Sequence, residues 1–218
     1  MASAFSAAVL GFLLGLRHAT DADHVVAVTA IVSREGSLAR AARIGVLWGI
    51  GHSLTVLVVG GAIVAFRLVV PARVGLGLEF CVAVMLILLG FSNLRPGSVD
   101  QARARDVAVA GIRPVLIGVV HGLAGSAAVA LLVLATIRET WWAIAYLAVF
   151  GIGTIAGMML VTALLATPAL YAVGRVARLQ RGMRLAAGAL SLAFGLLLAH
   201  EIIFTNGLFS AAPLWAPK

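Results

Sequence analysis

Val56-Leu57-Val58-Val59-Gly60-Gly61-Ala62-Ile63-Val64 and, further on, Cys81-Val82-Ala83-Val84-Met85-Leu86-Ile87-Leu88-Leu89 are apolar at every position. The alternation of a membrane β-barrel strand is missing from both, so each reads as a helix that is apolar on all faces, which lipid tolerates and water does not. Outward from these stretches, apolar runs recur at about 5–32, 43–66, 74–94, 112–137, 141–171 and 183–208. Each is long enough to cross roughly 30 Å of hydrocarbon as a helix. The expected fold is therefore an all-α membrane protein of six transmembrane helices. The chain is 62% hydrophobic and 11% charged, far from the quarter of charged residues usual in a soluble domain. The first run carries charges and lacks a cleavage site after a short apolar core, so it reads as a retained span and not a signal peptide.

The net charge of +8 is a matter of topology and not of nucleic-acid binding, because the cations fall between the apolar runs and form no basic face. Arg34, Arg40, Arg43, Arg95, Arg103, Arg105, Arg113, Arg175, Arg178, Arg181 and Arg184 occupy alternate connections. Arg67, Arg73, Arg138 and Lys218 are all that the opposite side holds. The excess predicts both termini outside the cytoplasm of a cell (inner) membrane. With Cys81 as the single cysteine, an internal disulfide and a cysteine-pair redox carrier are both excluded.

The polar stretch at 95–111 divides the chain into a first three-helix unit, 1–94, and a second, 112–218. Leu13, Gly15 and His18 overlie Leu116, Gly118 and His121 at an offset of 103, and Gly49-Ile50-Gly51 overlies Gly151-Ile152-Gly153 at an offset of 102. The halves read as copies, and an odd number of spans in each makes the repeat one of inverted topology, as in many secondary transporters that bind substrate near the midplane.

Ionisable residues inside spans are costly and usually functional. His18, His24, His52 and His121 all lie within spans, and a rise of 1.5 Å per residue puts His18 roughly 20 Å in from the outer side and His52 and His121 roughly 12 to 14 Å in from the inner side, at one level. Arg17-His18-Ala19-Thr20-Asp21-Ala22-Asp23-His24 is the densest segment. On an unbroken helix His18, Asp21 and His24 share a sector of about 120°, whereas Asp23 lies roughly 140° from His18, and Asp23 then needs a distortion or another job. Arg17 and Asp21, four apart, are spaced to pair along that helix. Imidazole and carboxylate without thiolate suit nickel or cobalt at least as well as softer metals. The candidate metal residues are His18, Asp21, Asp23, His24, His52 and His121. His200 and Glu201 read as interfacial, Glu79 as a residue that reaches the interface, and Met158 and Met159 as packing.

His18, Asp23 and His24 fulfil an HxxxxDH pattern that resembles the signature of the nickel/cobalt transporter family. Gly51-His52-Ser53 resembles that family's next histidine motif, and His121-Gly122-Leu123-Ala124-Gly125-Ser126-Ala127 with Phe150-Gly151-Ile152-Gly153-Thr154 is similar to its small urease-accessory, nickel-transporter-like branch. The resemblance implies metal recognition by His18, Asp21, Asp23, His24 and His52, and transport, not enzymatic catalysis. No permanent cofactor is expected, Ni2+ or Co2+ being the cargo. The expected partners are the lipid bilayer, the divalent ion, and a metallochaperone or a urease or hydrogenase maturation protein. The working mechanism is alternating access of two repeats around a central His/Asp site. The rival reading is an intramembrane haem-binding electron-transfer protein with ligands such as His18 and His121, which two neighbouring aspartates oppose. An intramembrane metalloprotease lacks its HExxH sequence.

Overall fold

The structure, a computed structural model, describes residues 4–33, 35, 37–95, 111–125, 137, 139–172 and 177–215. Every regular element among them is helical: α1 (Ala4–His18), α2 (Ala22–Val32), α3 (Leu38–Phe66), α4 (Ala72–Leu94), α5 (Gly111–Gly125), α6 (Thr140–Ala172) and α7 (Ala177–His200, continued by a wide π turn over Glu201–Thr205). A second π turn, Val56–Gly60, lies inside α3 just beyond His52. Four helices, Leu38–Phe66, Ala72–Leu94, Thr140–Pro168 and Gln180–Thr205, are long and apolar enough to cross a membrane.

The expected first span is not one helix. α1 stops at His18 and α2 starts at Ala22, leaving two short apolar helices where one span is expected. The fourth run appears as the short helix α5; its remainder, 126–136, and most of the 95–111 linker lie outside the described residues.

Glycines set the helix contacts by letting backbones approach where a side chain would collide. On α1 they face α6: Gly11 meets the Tyr146 ring, Gly15 the Phe150 carbonyl, and Gly157 of α6 meets Ala19, so the two helices run parallel. On α5 they face α3: Gly118 abuts Trp48 and Gly122 abuts His52 and Thr55, again parallel. α3 and α6 cross antiparallel, with Gly45 by Met158, Gly49 by Ile155 and Gly151 by Ser53, whose hydroxyl donates to the Gly151 carbonyl at 3.0 Å. α4 and α7 are antiparallel too: Gly195 lies against Ala83, the Ser191 hydroxyl donates to the Leu86 carbonyl at 2.8 Å, and Gly188 lies against Asn93.

These crossings enclose a core in which Trp48, Val28, Leu86 and Met158 are fully buried, and Met158 acts as packing. Outward faces stay apolar; Leu164 is 73% and Leu197 69% exposed, a surface that lipid must cover. At one end the segment after α7 folds back on α4. Arg73 donates to the Ser210 carbonyl at 3.0 Å, and the Trp215 indole N–H donates to Glu79 at 2.8 Å. Glu79 is thereby an acceptor within the fold.

Candidate metal centre

The break between α1 and α2 is built from local hydrogen bonds. Thr20 turns both its backbone N–H (2.8 Å) and its hydroxyl (2.6 Å) onto the Arg17 carbonyl, and Asp21 N–H donates to the His18 carbonyl at 3.1 Å. Asp21 then takes an extended conformation (φ −61°, ψ 148°) at the N-cap of α2, the backbone state an N-cap requires. Its carboxylate does not cap the helix. It accepts from His18 Nδ1 at 2.8 Å, so the expected pairing with Arg17 is replaced by one with His18. An intact helix would have set Arg17 and Asp21 one turn apart on one face; the turn at Ala19 to Asp21 removes that spacing.

The same break resolves Asp23. Restarted at Ala22, the chain places Asp23 in the first turn of α2, where the helix dipole favours an anion. Asp23 Oδ1 accepts the His24 backbone N–H at 3.0 Å and lies 3.3 Å from His24 Nδ1, while Oδ2 stands 3.0 Å from His121 Nε2. The aspartate that an unbroken helix points away is therefore turned into the cluster.

Four imidazoles complete it. His18 Nε2 and His52 Nε2 are 3.2 Å apart. His24 packs against His18, His52 and His121, with ring centroids at 4.8, 5.2 and 4.5 Å. His24, His52 and His121 are buried, His18 is nearly so, and Asp23 and Asp21 keep partial exposure. Level with one another by depth arithmetic, His18, His52 and His121 do not form the inner trio. His24 occupies the centre, and His121 meets Asp23 and His24.

Aromatic walls flank the cluster. Trp48 lies 5.5 Å from the His121 ring and 6.0 Å from that of His24, and Phe150 lies 5.4 Å from His18. Trp48 does not stand out in the sequence, although it is one helical turn before His52 and so shares its face; Phe150 opens the Phe150 to Thr154 motif, which gives no sign that it meets His18. His200, by contrast, is exposed and packs on Phe204.

The chemistry follows from donors without partners. Both ring nitrogens of His24, Nδ1 of His52 and Nδ1 of His121 are buried with no hydrogen-bond partner among the described residues. Each such group left dry costs about 1–3 kcal/mol. With Nδ1–H of a neutral His18 donating to Asp21, its Nε2 presents a lone pair, the carboxylate–histidine arrangement that orients metal ligands. Two donors on one ion with bonds of about 2.1 Å stand roughly 3.0 Å apart at a right angle and roughly 3.4 Å at the tetrahedral angle. The His18–His52 separation of 3.2 Å and the His121–Asp23 separation of 3.0 Å fall in that range. Among the described residues, His18, His24 and His52 form one set able to hold a metal ion, and Asp23, His24 and His121 a second.

Residues 4–94 match the NicO family model, described as "High-affinity nickel-transport protein". The chain is also similar to the "Urease accessory protein UreH" of Bacillus sp. (strain TB-90), at 32% identity over 219 residues, covering 94% of each chain. No solved structure matches it.

Proposed function

Because the chain belongs to the NicO family of nickel-transport proteins, and is thus a multi-pass membrane transporter of nickel or cobalt ions, we propose that the ion crosses through the cluster of His18, Asp23, His24, His52 and His121. The carrying observation is that buried imidazoles from three helices converge with the Asp23 carboxylate, with His18 Nε2 3.2 Å from His52 Nε2 and His121 Nε2 3.0 Å from Asp23 Oδ2, the spacing of neighbouring ligands on one ion. Asp21 acts one step out, holding His18 in the tautomer that binds.

The mechanism we favour is alternating access of two inverted repeats. Support comes from glycine contacts that exchange between halves. Gly15 against Phe150 is matched by Gly118 against Trp48, Gly153 against Phe12 by Gly51 against Val115, and Gly49 against Ile155 by Gly151 against Ser53. Shifting one member of each pair by 102 or 103 positions generates the other. The parallel and antiparallel crossings fit a second half that enters from the opposite face. Six crossings follow if α1 and α2 together make one interrupted span, of the kind that lines transporter sites. The arginine excess supports a 95–111 connection in the cytoplasm and both termini outside.

For a doubly charged ion, a potential of about 100 mV negative inside contributes roughly 4.6 kcal/mol toward entry, so uniport imports. On the cytoplasmic side, the kinship with a urease accessory protein supports delivery of nickel to a urease-assembly pathway.

Uptake of labelled nickel into proteoliposomes, with cobalt and zinc as competitors, tests the proposal. His24→Ala and His121→Ala are expected to abolish saturable uptake while keeping the parent's elution profile. Parent-like uptake by both variants would refute it.

A further inference from the structure

As they stand, the five inner residues do not gather their donors around one point. Within the set His18, His24, His52, and within the set Asp23, His24, His121, one donor atom from each residue lies within 4.8 Å of the others, and no single set includes all five. His24 alone belongs to both.

We infer that the centre is two adjoining three-ligand stations that share His24, and that the ion crosses by passing from one to the other with His24 as the common ligand. The inference rests on the transport reading above and adds the path within it. Three observations converge. The closest donor pair of each station, 3.2 Å and 3.0 Å, already has the spacing of neighbouring ligands on one ion. His24 is fully enclosed between the two sets: its ring packs on His18, His52 and His121 with centroids at 4.8, 5.2 and 4.5 Å, and its Nδ1 lies 3.3 Å from Asp23 Oδ1, so it faces both. The stations also differ in kind: three imidazoles in one, two imidazoles and a carboxylate in the other. The carboxylate stabilises a cation more, and the imidazole station offers the stronger field for nickel and cobalt. Neither station holds the ion with a full shell. Incomplete ligation lets an ion leave at a useful rate.

His18, the α1 ligand of the imidazole station, and the Asp23–His24 pair are carried by different pieces of the fold. His18 ends α1, which is locked to α6 through Gly15 and Gly153. Asp23 and His24 begin α2, which is tied to α4 by the Asn93 amide donating to the Ala30 carbonyl at 2.6 Å. The turn between His18 and Ala22 is the joint where the two carriers separate, so a relative movement that opens one station need not open the other.

Cobalt(II) bound to the purified full chain is the probe, read by visible absorption, X-ray absorption at the cobalt edge and equilibrium dialysis. His121→Ala and the equal-volume Asp23→Asn are expected to retain one Co2+ with one common spectrum, that of the three-imidazole station. His52→Ala retains one Co2+ with a different spectrum that includes carboxylate oxygen. His24→Ala lowers affinity more than 100-fold, and the parent spectrum is a weighted sum of the two variant spectra. Nickel uptake into proteoliposomes falls at least tenfold in every variant. Loss of binding in His52→Ala and Asp23→Asn as complete as in His24→Ala would overturn the two-station path in favour of one joint site. A parent that binds cobalt in both environments yet moves no nickel would instead overturn the transport reading and leave the stations standing.

Discussion

Gly118→Ala adds one methyl group to α5 at the point where it rests on α3, and its effect can be worked from the packing. A Cβ there stands 2.7 Å from Trp48 Cδ1 and 2.9 Å from the His52 backbone nitrogen, closer still to the Trp48 carbonyl oxygen, where ordinary contact begins at 3.4 Å. The far side is helix backbone, which has no rotamer to yield, so α5 must retreat by about 0.7 Å or more. His121 lies on the next turn of α5 and moves with it. Metal sites tolerate displacements of about 0.2 Å, so Asp23, His24 and His121 can no longer close on one ion. The expected outcome is a nickel affinity at least ~10-fold weaker, about 1.4 kcal/mol, with a loss of stability of roughly 1–3 kcal/mol from overpacking. Gly77→Ala is the control, since a Cβ there meets nothing within 4 Å. Isothermal titration with nickel and thermal unfolding in detergent read the two effects. If Gly118→Ala binds nickel within twofold of the parent and melts with it, the claim that α3–α5 contact sets the metal geometry is refuted.

Three further outcomes follow from other contacts. Asp21→Ala removes the partner of His18 Nδ1, 2.8 Å away, and should weaken nickel binding by about 10-fold or more, with Asp21→Asn recovering part of it in the same titration. Asn93→Ala deletes the buried amide that donates to the Ala30 carbonyl; interhelical bonds of this kind contribute about 0.6 to 2 kcal/mol, so a lowered melting temperature is expected, and an unchanged one would mean α2 is held by packing alone. His200→Ala, at an exposed residue packed on Phe204, should leave nickel uptake at the parent rate; a large loss would place an access station there.

The helical, lipid-facing character of the chain is legible from stretches such as Val56 to Val64, because apolar side chains on every face have only one tolerable surrounding. His18, His24, His52 and His121 are legible as well, each a costly residue in an apolar run. The break at Ala19 to Asp21 falls in the polar stretch Arg17 to His24, which reads as a site inside one long run because apolar residues resume in α2. A weaker signal was present: Asp21 is a good N-cap residue, with a further acid, Asp23, in the turn it opens. Counting residues along an unbroken helix overrides that signal, which leads to the pairing of Asp21 with Arg17 and to the misplacement of Asp23. The central position of His24 and the walls Trp48 and Phe150 depend on how α1, α3, α5 and α6 pack, a tertiary fact with no local pattern behind it.

The ligands are also ordered in time. His18, His24 and His52 leave the ribosome together, early, so the first half of a growing chain already carries every donor of the imidazole set. It does not yet carry α6, whose Phe150 and Gly153 hold α1 in position, nor His121, which completes the other set. The imidazole set is thus complete in sequence before the contacts that position α1 can form.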